Sequence, residues 1–302
     1  MSYNLITILG PTAVGKTKLG VQLASKFNGE IISADSRQVY NGMDIGTGKD
    51  KSEYLINGKE IKYHLIDIME PKDEFNLFEF IKNFNLAFSE ITKKKKTPIM
   101  VGGSGLYLNS VLQNYKLNKA DFNENLIADL KKKPTEKLVE ELKALSPKLH
   151  NTTDLIDKDR IVNAIIVERS KKIKNKLSSD VKSFNIGIRI NRETLKERIN
   201  LRLKQRLNCG MIDEVKSLLD SGLSFERLKL FGLEYKFISM HLVGELNYND
   251  MFQKLNSAIN NFAKRQITWF RKMEKEGCII NWIDSGDLET ANELIARNYY
   301  NG

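Results

Sequence analysis

Cysteine is nearly absent. Cys209 and Cys278 are the only two in 302 residues, far apart and in no C-x-x-C, which excludes a disulfide framework and a zinc knuckle built on paired cysteines. Long apolar runs are missing as well. The longest are strand-length, far short of the about 20 residues that cross a bilayer, and no charged-then-apolar leader precedes the first of them. The expectation is a cytoplasmic protein with no membrane association. Acidic residues are the third shortfall: 38 Asp and Glu face 48 Lys and Arg, leaving a formal charge of +10. A cationic surface favours a polyanion such as nucleic acid, although lysine-rich composition also arises from genome bias. The remaining composition, 41% hydrophobic, is that of an ordinary globular chain long enough for one large domain or two unequal ones.

The most informative stretch is Gly10-Pro11-Thr12-Ala13-Val14-Gly15-Lys16-Thr17, between the apolar run Leu5-Ile6-Thr7-Ile8-Leu9 and a helical pattern with Leu19, Leu23, Ala24 and Phe27 inward. The spacing G-x-x-x-x-G-K-S/T is that of a phosphate-binding loop. Two glycines let the backbone curl so that successive N–H groups face one anion, and the next helix adds the positive end of its dipole. Lys16 reaches a terminal phosphate as a point charge, and the Thr17 hydroxyl is placed to hold a Mg²⁺ bridging phosphate oxygens. Such a loop reads as nucleotide-binding, ATP included, but does not say whose phosphates it holds.

Further along, Ile31 to Ala34 reads as a second strand that delivers Asp35-Ser36-Arg37-Gln38 at its C-terminal end, the edge where open α/β sheets bind ligands. Asp35 is a site candidate there, or it caps the turn that follows. The glycine-spaced stretch from Asn41 to Gly48 reads as a mobile lid. Tyr63 to Ile68 reads as a third strand, with Asp67 either a second acid beside a metal or a turn residue, and His64 packed. Lys93 to Lys96 close a helix, where lysines complement the dipole. Pro98 to Val101 is a fourth strand running into Gly102-Gly103-Ser104-Gly105-Leu106-Tyr107, which points Ser104 into a site or makes a plain tight turn.

From Leu117 to Ser183 no strand-like run occurs and lysines alternate with acids, so residues 117–183 read as an inserted helical subdomain. Pro134 suits a helix's first turn, and Ile161, Ile165 and Ile166 form an inner face. Strand pattern returns over Phe184 to Ile190, so 1–116 and 184–302 form one α/β core around a parallel sheet. Arg198, Arg202 and Arg206 share a helix face. On a later helix, Lys264, Thr268, Arg271, Lys272 and Lys275 fall on one side, a basic stripe that could meet phosphates, and Phe262, Gln266, Trp269, Phe270 and Met273 on the other, where the aromatics read as core. Cys278 to Ile283 completes the sheet.

Together, Gly10 to Thr17, Asp35 to Tyr40, Met43 to Gly48, Gly102 to Tyr107 and Ala263 to Arg271 resemble the tRNA dimethylallyltransferase family, in order along nearly the whole chain. The resemblance implies a P-loop, nucleoside-kinase-like core with an inserted all-helical domain that grips the anticodon stem-loop of tRNA. It implies transfer of a dimethylallyl group from dimethylallyl diphosphate to the exocyclic amine of the adenine just 3′ of the anticodon, in tRNAs reading codons that begin with U. The phosphate loop then holds a diphosphate leaving group, helped by Lys16, by Mg²⁺ at Thr17 and by Arg202, the family's diphosphate-side arginine. Asp35 matches the family's proton-accepting acid, and Ser104 its Thr or Ser against the target nucleotide. Asp35, Ser36, Arg37 and Gln38 match tRNA-touching segments, as do Asp159, Arg160, Ile161, Val162 and Asn163. So do Lys264, Arg265, Gln266, Ile267, Thr268, Trp269, Phe270 and Arg271. A monomer is implied.

Two positions depart from the family pattern. Asn163 stands where many members have arginine, and Gly232-Leu233-Glu234 stands for Gly-Tyr-Arg or Gly-Tyr-Lys, exchanging a possible phosphate contact for an acid. From the residues alone two rivals stay open: a small-molecule kinase using ATP, and a nucleotide-switched RNA-binding protein.

Overall fold

Leu5–Leu9 is buried at every position, as a strand with neighbours on both sides and helices on both faces must be. In the computed structural model, which describes residues 3–115, 124–145, 158–170 and 180–300, it lies within a six-stranded parallel sheet. From one edge to the other the strands are Tyr63–His64, Gly29–Ala34, Thr97–Gly102, Leu5–Leu9, Ser183–Arg189 and Asn281–Asp284. Ile6 sits level with Ile99 on one side and Phe184 on the other. Every crossover in such a sheet brings the chain back through a helix or long loop, so the C-terminal ends of the strands line one edge. Gly10, Asp35 and Gly103 all follow such ends. The class expected, an α/β P-loop core, is the class observed.

The third strand is shorter than its apolar run predicts. Tyr63 to Ile68 reads as one strand, yet pairing stops at His64 because Leu65 and Asp67 take left-handed backbone angles, φ 63° and 53°. Such angles leave the ladder geometry at once. The last strand begins at Asn281, later than the run from Cys278 suggests. His64 is packed, as expected, with Nε2 2.8 Å from a Glu30 carboxylate oxygen.

The chain divides into two compact units, residues 1–114 with 179–302, and residues 115–178. The described part of the second is entirely helical: Glu124–Lys132, Thr135–Leu145 and Lys158–Ser170. Its own small core joins Leu130, Leu138 and Leu142 to Ile161, Val162, Ile165 and Ile166. The carbonyl of Pro134 accepts the Leu138 N–H at 3.2 Å, so this proline opens its helix. Glu141 ties the helices further by pairing with Lys133 at 2.9 Å and with Arg169.

Candidate active site

The phosphate loop takes its shape from backbone that most side chains resist. Gly15 has φ 85° and Ala13, without glycine's freedom, has φ 63°. A Cβ on Gly10 would stand 3.0 Å from the Ile188 carbonyl oxygen in the next strand. The helix Lys16–Lys26 that follows has no side-chain cap, so its first N–H groups stay available to an anion. Lys16 Nζ donates to the Pro11 carbonyl at 2.6 Å, folding the amine over the loop. Burial, with Arg202 adding repulsion and Asp35 opposing both, lowers its pKa to about 8.

Around this loop lies a cavity of about 290 Å³. Thr12, Ala13, Gly15, Lys16 and Thr17 form one end, Ser33, Asp35 and Gln38 a second wall, and Arg198 and Arg202 a third. Asp35 caps its turn and also lines the cavity. Oδ1 accepts the Arg37 N–H at 2.9 Å, which caps the turn, and Oδ2 takes no hydrogen bond from the described residues. The carboxylate therefore keeps an oxygen with proton-accepting capacity. Ser33 donates to Gln38 at 2.9 Å, and Gln38 donates to the Gly48 carbonyl at 3.0 Å.

Gln266 holds two walls together. Its Oε1 accepts the Thr12 N–H at 2.8 Å and its Nε2 donates to the Gly103 carbonyl at 2.9 Å. It is 5% exposed, so its place on the inward face of the Tyr248–Lys275 helix agrees with the helical reading. Its role is a polar brace rather than packing. Phe262, four residues earlier on the same helix and read as core, is 38% exposed and lines the cavity. Trp269 instead covers Gly105, where a Cβ would come within 2.6 Å of the indole.

Arg202 donates to Asp50 at 2.6 Å, and Arg198 to the Ser285 hydroxyl at 2.6 Å. Ser285 in turn donates to the Val14 carbonyl at 3.0 Å, which ties the arginine wall to the phosphate loop. These two arginines of the shared helix face are thus engaged within the protein. Arg206 is also anchored, to the Ile45 carbonyl at 2.6 Å and to Glu234 at 3.1 Å. The acid at the departure Gly232-Leu233-Glu234 therefore has a partner inside the protein.

The glycine-spaced stretch, whose composition suggests a mobile lid, is tied to the rest of the protein by hydrogen bonds. One Glu214 carboxylate accepts the N–H groups of Asp44, Ile45 and Gly46 at 2.8, 2.6 and 2.8 Å, and the Tyr235 hydroxyl at 2.7 Å. Burial and this carboxylate push the Tyr235 hydroxyl pKa well up. Lys49, fully buried, donates to the Tyr40 carbonyl at 2.7 Å, to Asp44 at 2.6 Å and to Asp67. Asp67 is thereby committed to lysines and is not among the cavity's lining residues, which removes it as a second acid beside a metal. We expect Glu214→Gln to lower stability by about 2–3 kcal/mol, because the amide offers one acceptor oxygen and turns an N–H₂ toward donors. Urea unfolding checks this, and a loss below about 0.5 kcal/mol would show that the carboxylate does not hold the loop.

Ser104 opens the helix Gly105–Leu112 and does not line this cavity, although Gly102 and Gly103 before it do. Ser36 and Arg37 follow Asp35, half-buried. Lys264, Arg265, Thr268 and Arg271 are exposed, and Ile267 is partly buried. Phe270, Ile161 and Val162 are fully buried, so their side chains cannot touch RNA and serve packing. The side chains of Asp159, Arg160 and Asn163 lie outside the described residues. Reading the residues missed Glu214 and Ser285, which carry no local signal. It also missed Asp50 and Glu53, whose acidity beside a glycine loop was a signal. Burial and neighbouring Asp50 raise the Glu53 carboxyl above its ordinary pKa.

For a metal, the cavity lining offers the Thr17 hydroxyl and, separately, the carboxylates of Asp35, Asp50 and Glu53, which among the described residues do not converge on one point, Asp50 being paired with Arg202. These hard oxygen donors suit a Mg²⁺-like cation rather than zinc. Elsewhere Glu30, His64 and Glu90 converge, but Lys62, Lys94 and Lys96 already pair with the two carboxylates.

Residues 38–273 match the family model described as IPP transferase. A relative called tRNA dimethylallyltransferase 1, from Geotalea uraniireducens, is 50% identical over 301 residues, 99% of each chain. Its namesake from Geotalea daltonii is 53% identical over 295 residues, 97% of this chain and 95% of that one. Among solved structures, the full-length tRNA isopentenylpyrophosphate transferase from Bacillus halodurans superposes with TM-score 0.70 at 31% identity, covering 99% of this chain and 95% of its own. A eukaryotic dimethylallyltransferase acting on tRNA has TM-score 0.77 at 23% identity over 98% and 78%, a likeness of fold.

Proposed function

This chain belongs to the IPP transferase family of tRNA dimethylallyltransferases, and from that premise we propose how its cavity performs prenyl transfer to tRNA. The donor is dimethylallyl diphosphate, and the acceptor is the exocyclic amine of the adenine 3′-adjacent to the anticodon in tRNAs reading codons that start with U. One observation carries the reading: a phosphate loop, two arginines and a carboxylate with an uncommitted oxygen face a single cavity.

The diphosphate lies on the loop N–H groups with Lys16 above it and Arg202 beside it. As the allylic C–O bond breaks, its electron pair goes to the diphosphate oxygen, and these fixed positive charges meet the charge that develops. The adenine leaves its stack to enter from the wall that carries Asp35 and the bare backbone of Gly102 and Gly103. Its amine nitrogen forms the new N–C bond, and its proton passes to Asp35, so N6-dimethylallyladenosine and diphosphate are the products. The family works with a divalent metal; we assign Mg²⁺, which the Thr17 hydroxyl would hold and which would supply neutralising charge to the leaving group.

Lys264, Arg265, Thr268 and Arg271 supply exposed contacts to tRNA phosphates. The inserted helical domain, expected over 117–183, takes the anticodon stem-loop with Asp159, Arg160 and Asn163. Ser104, which follows the lining residue Gly103, contacts the target nucleotide. No helix among the described residues is long and apolar enough to cross a membrane, in keeping with action in the cytoplasm, where tRNA is found.

Mass spectrometry of tRNA after incubation with dimethylallyl diphosphate and Mg²⁺ tests the reading. We expect the mass of one dimethylallyl group on the adenine next to the anticodon. Unmodified tRNA, together with ADP formed from ATP and a small metabolite, would replace prenyl transfer by kinase chemistry.

A further inference from the structure

We propose that Phe262 limits the donor's prenyl chain to five carbons, which makes it a specificity-determining residue of this cavity. The proposal rests on the diphosphate and adenine assignments above. Those assignments claim the polar walls: the phosphate loop, Lys16 and Arg202 for the diphosphate, and Asp35 with Gly102 and Gly103 for the base. The chain attached to the diphosphate then needs apolar surface. Of the apolar side chains that line the cavity, Tyr54 is 2% exposed and Val101 6%, so each offers little surface, whereas Phe262 is 38% exposed.

Position supports the same assignment. Phe262 and Gln266 lie four residues apart on one helix, so about 6 Å separates them along its axis. Gln266 touches the loop itself through the Thr12 N–H at 2.8 Å. Phe262 is therefore one helical turn from the diphosphate, the reach of a short branched chain and not of a long one. The ring is also held: the Arg265 guanidinium lies 5.8 Å from its centroid, a cation–π contact that restrains a side chain otherwise free to swing. A core phenylalanine would be buried like Phe270. Phe262 is exposed and is among the residues lining a cavity of mostly charged and polar groups, so an apolar ligand in that cavity has this ring to cover.

A restrained aromatic wall discriminates by size. The test measures kcat/KM for dimethylallyl diphosphate and for geranyl diphosphate, with tRNA saturating, in the native enzyme, Phe262→Ala and Phe262→Leu, together with KM for tRNA. Hydrophobic pockets discriminate one carbon group by about 10–200-fold. We expect the native enzyme to favour the five-carbon donor by at least about 100-fold, and Phe262→Ala to shrink that preference about tenfold or more. Phe262→Leu, which keeps bulk, should shrink it less, and KM for tRNA should stay within about threefold throughout. An unchanged donor ratio in Phe262→Ala would overturn the proposal. A raised tRNA KM with an unchanged ratio would do so too, and would make the ring a platform for the base. If the native enzyme transfers neither chain, the functional reading fails first and this proposal with it, an outcome distinct from an unchanged ratio between two working donors.

Discussion

We expect Asp35→Asn to lower single-turnover transfer by about 10²–10⁴-fold while affinities for diphosphate and for tRNA stay within a few fold. The adenine amine is a weak nucleophile because its lone pair is delocalised into the ring, so attack needs a base that takes the proton as the new bond forms. The structure makes the asparagine variant a clean test. Oδ1, which caps the turn by accepting the Arg37 N–H at 2.9 Å, is retained in the amide, so the local fold has no reason to change. The Oδ2 position, which takes no hydrogen bond from the described residues, becomes an N–H₂ that cannot accept a proton. Rapid-quench assays at saturating Mg²⁺ read the chemical step. Near-normal transfer there, with only an altered Mg²⁺ requirement or lowered stability, would remove Asp35 from the proton transfer and leave it a metal or turn residue.

Lys16→Ala and Arg202→Ala should each slow transfer by about 10²–10³-fold, the range seen when one preorganised charge-stabilising donor is removed. The effect falls on the rate because the interaction strengthens as the leaving diphosphate gains charge, so tRNA affinity should hardly move. Equal losses in rate and tRNA affinity would contradict the assignment of both residues. Lys16 adds a pH signature. Burial first, and Arg202 second, bring its amine down to about 8, so kcat/KM for the diphosphate donor should fall as pH rises through about 8 in the native enzyme. Lys16→Arg should remove that limb, because a guanidinium keeps its charge.

The same group predicts a stability effect of opposite sense. Between about pH 8 and the ordinary lysine value of 10.5, the unfolded chain binds a proton that the folded chain has released. The stability of the ligand-free protein therefore rises with pH across that window, and below it the buried charge is a standing cost. A bound diphosphate offsets the cost. This is the usual relation at a site built for a charged ligand rather than for its own stability.

How much of this was legible in the chain depends on the range of the interactions involved. The phosphate loop could be read because its conformation is local: glycines at 10 and 15 and the helix beginning at Lys16 suffice to shape it. Four strands of the sheet, the placement of Asp35 at a strand end and the inner face of the Lys158–Ser170 helix were legible for the same reason, since periodicity reports burial one residue at a time. The order of the blocks also identified the family before any coordinates. The strand expected to run to Ile68 failed on local grounds that hydrophobicity does not report, namely the left-handed backbone at Leu65 and Asp67.

The rest required tertiary structure. A helical wheel places Phe262, Gln266 and Phe270 on related faces, but it cannot say what stands opposite each. Phe270 meets the core at 0% exposure, Gln266 meets the Thr12 N–H and the Gly103 carbonyl, and Phe262 meets a cavity. Composition alone makes Asn41 to Gly48 a flexible loop. It is held because Glu214, some 170 residues later, brings one carboxylate to its backbone N–H groups. Periodicity and turn chemistry are properties of neighbours in the chain and can be read there. Which distant polar group satisfies which buried donor is decided only when the elements pack, because desolvation leaves those donors no water to fall back on.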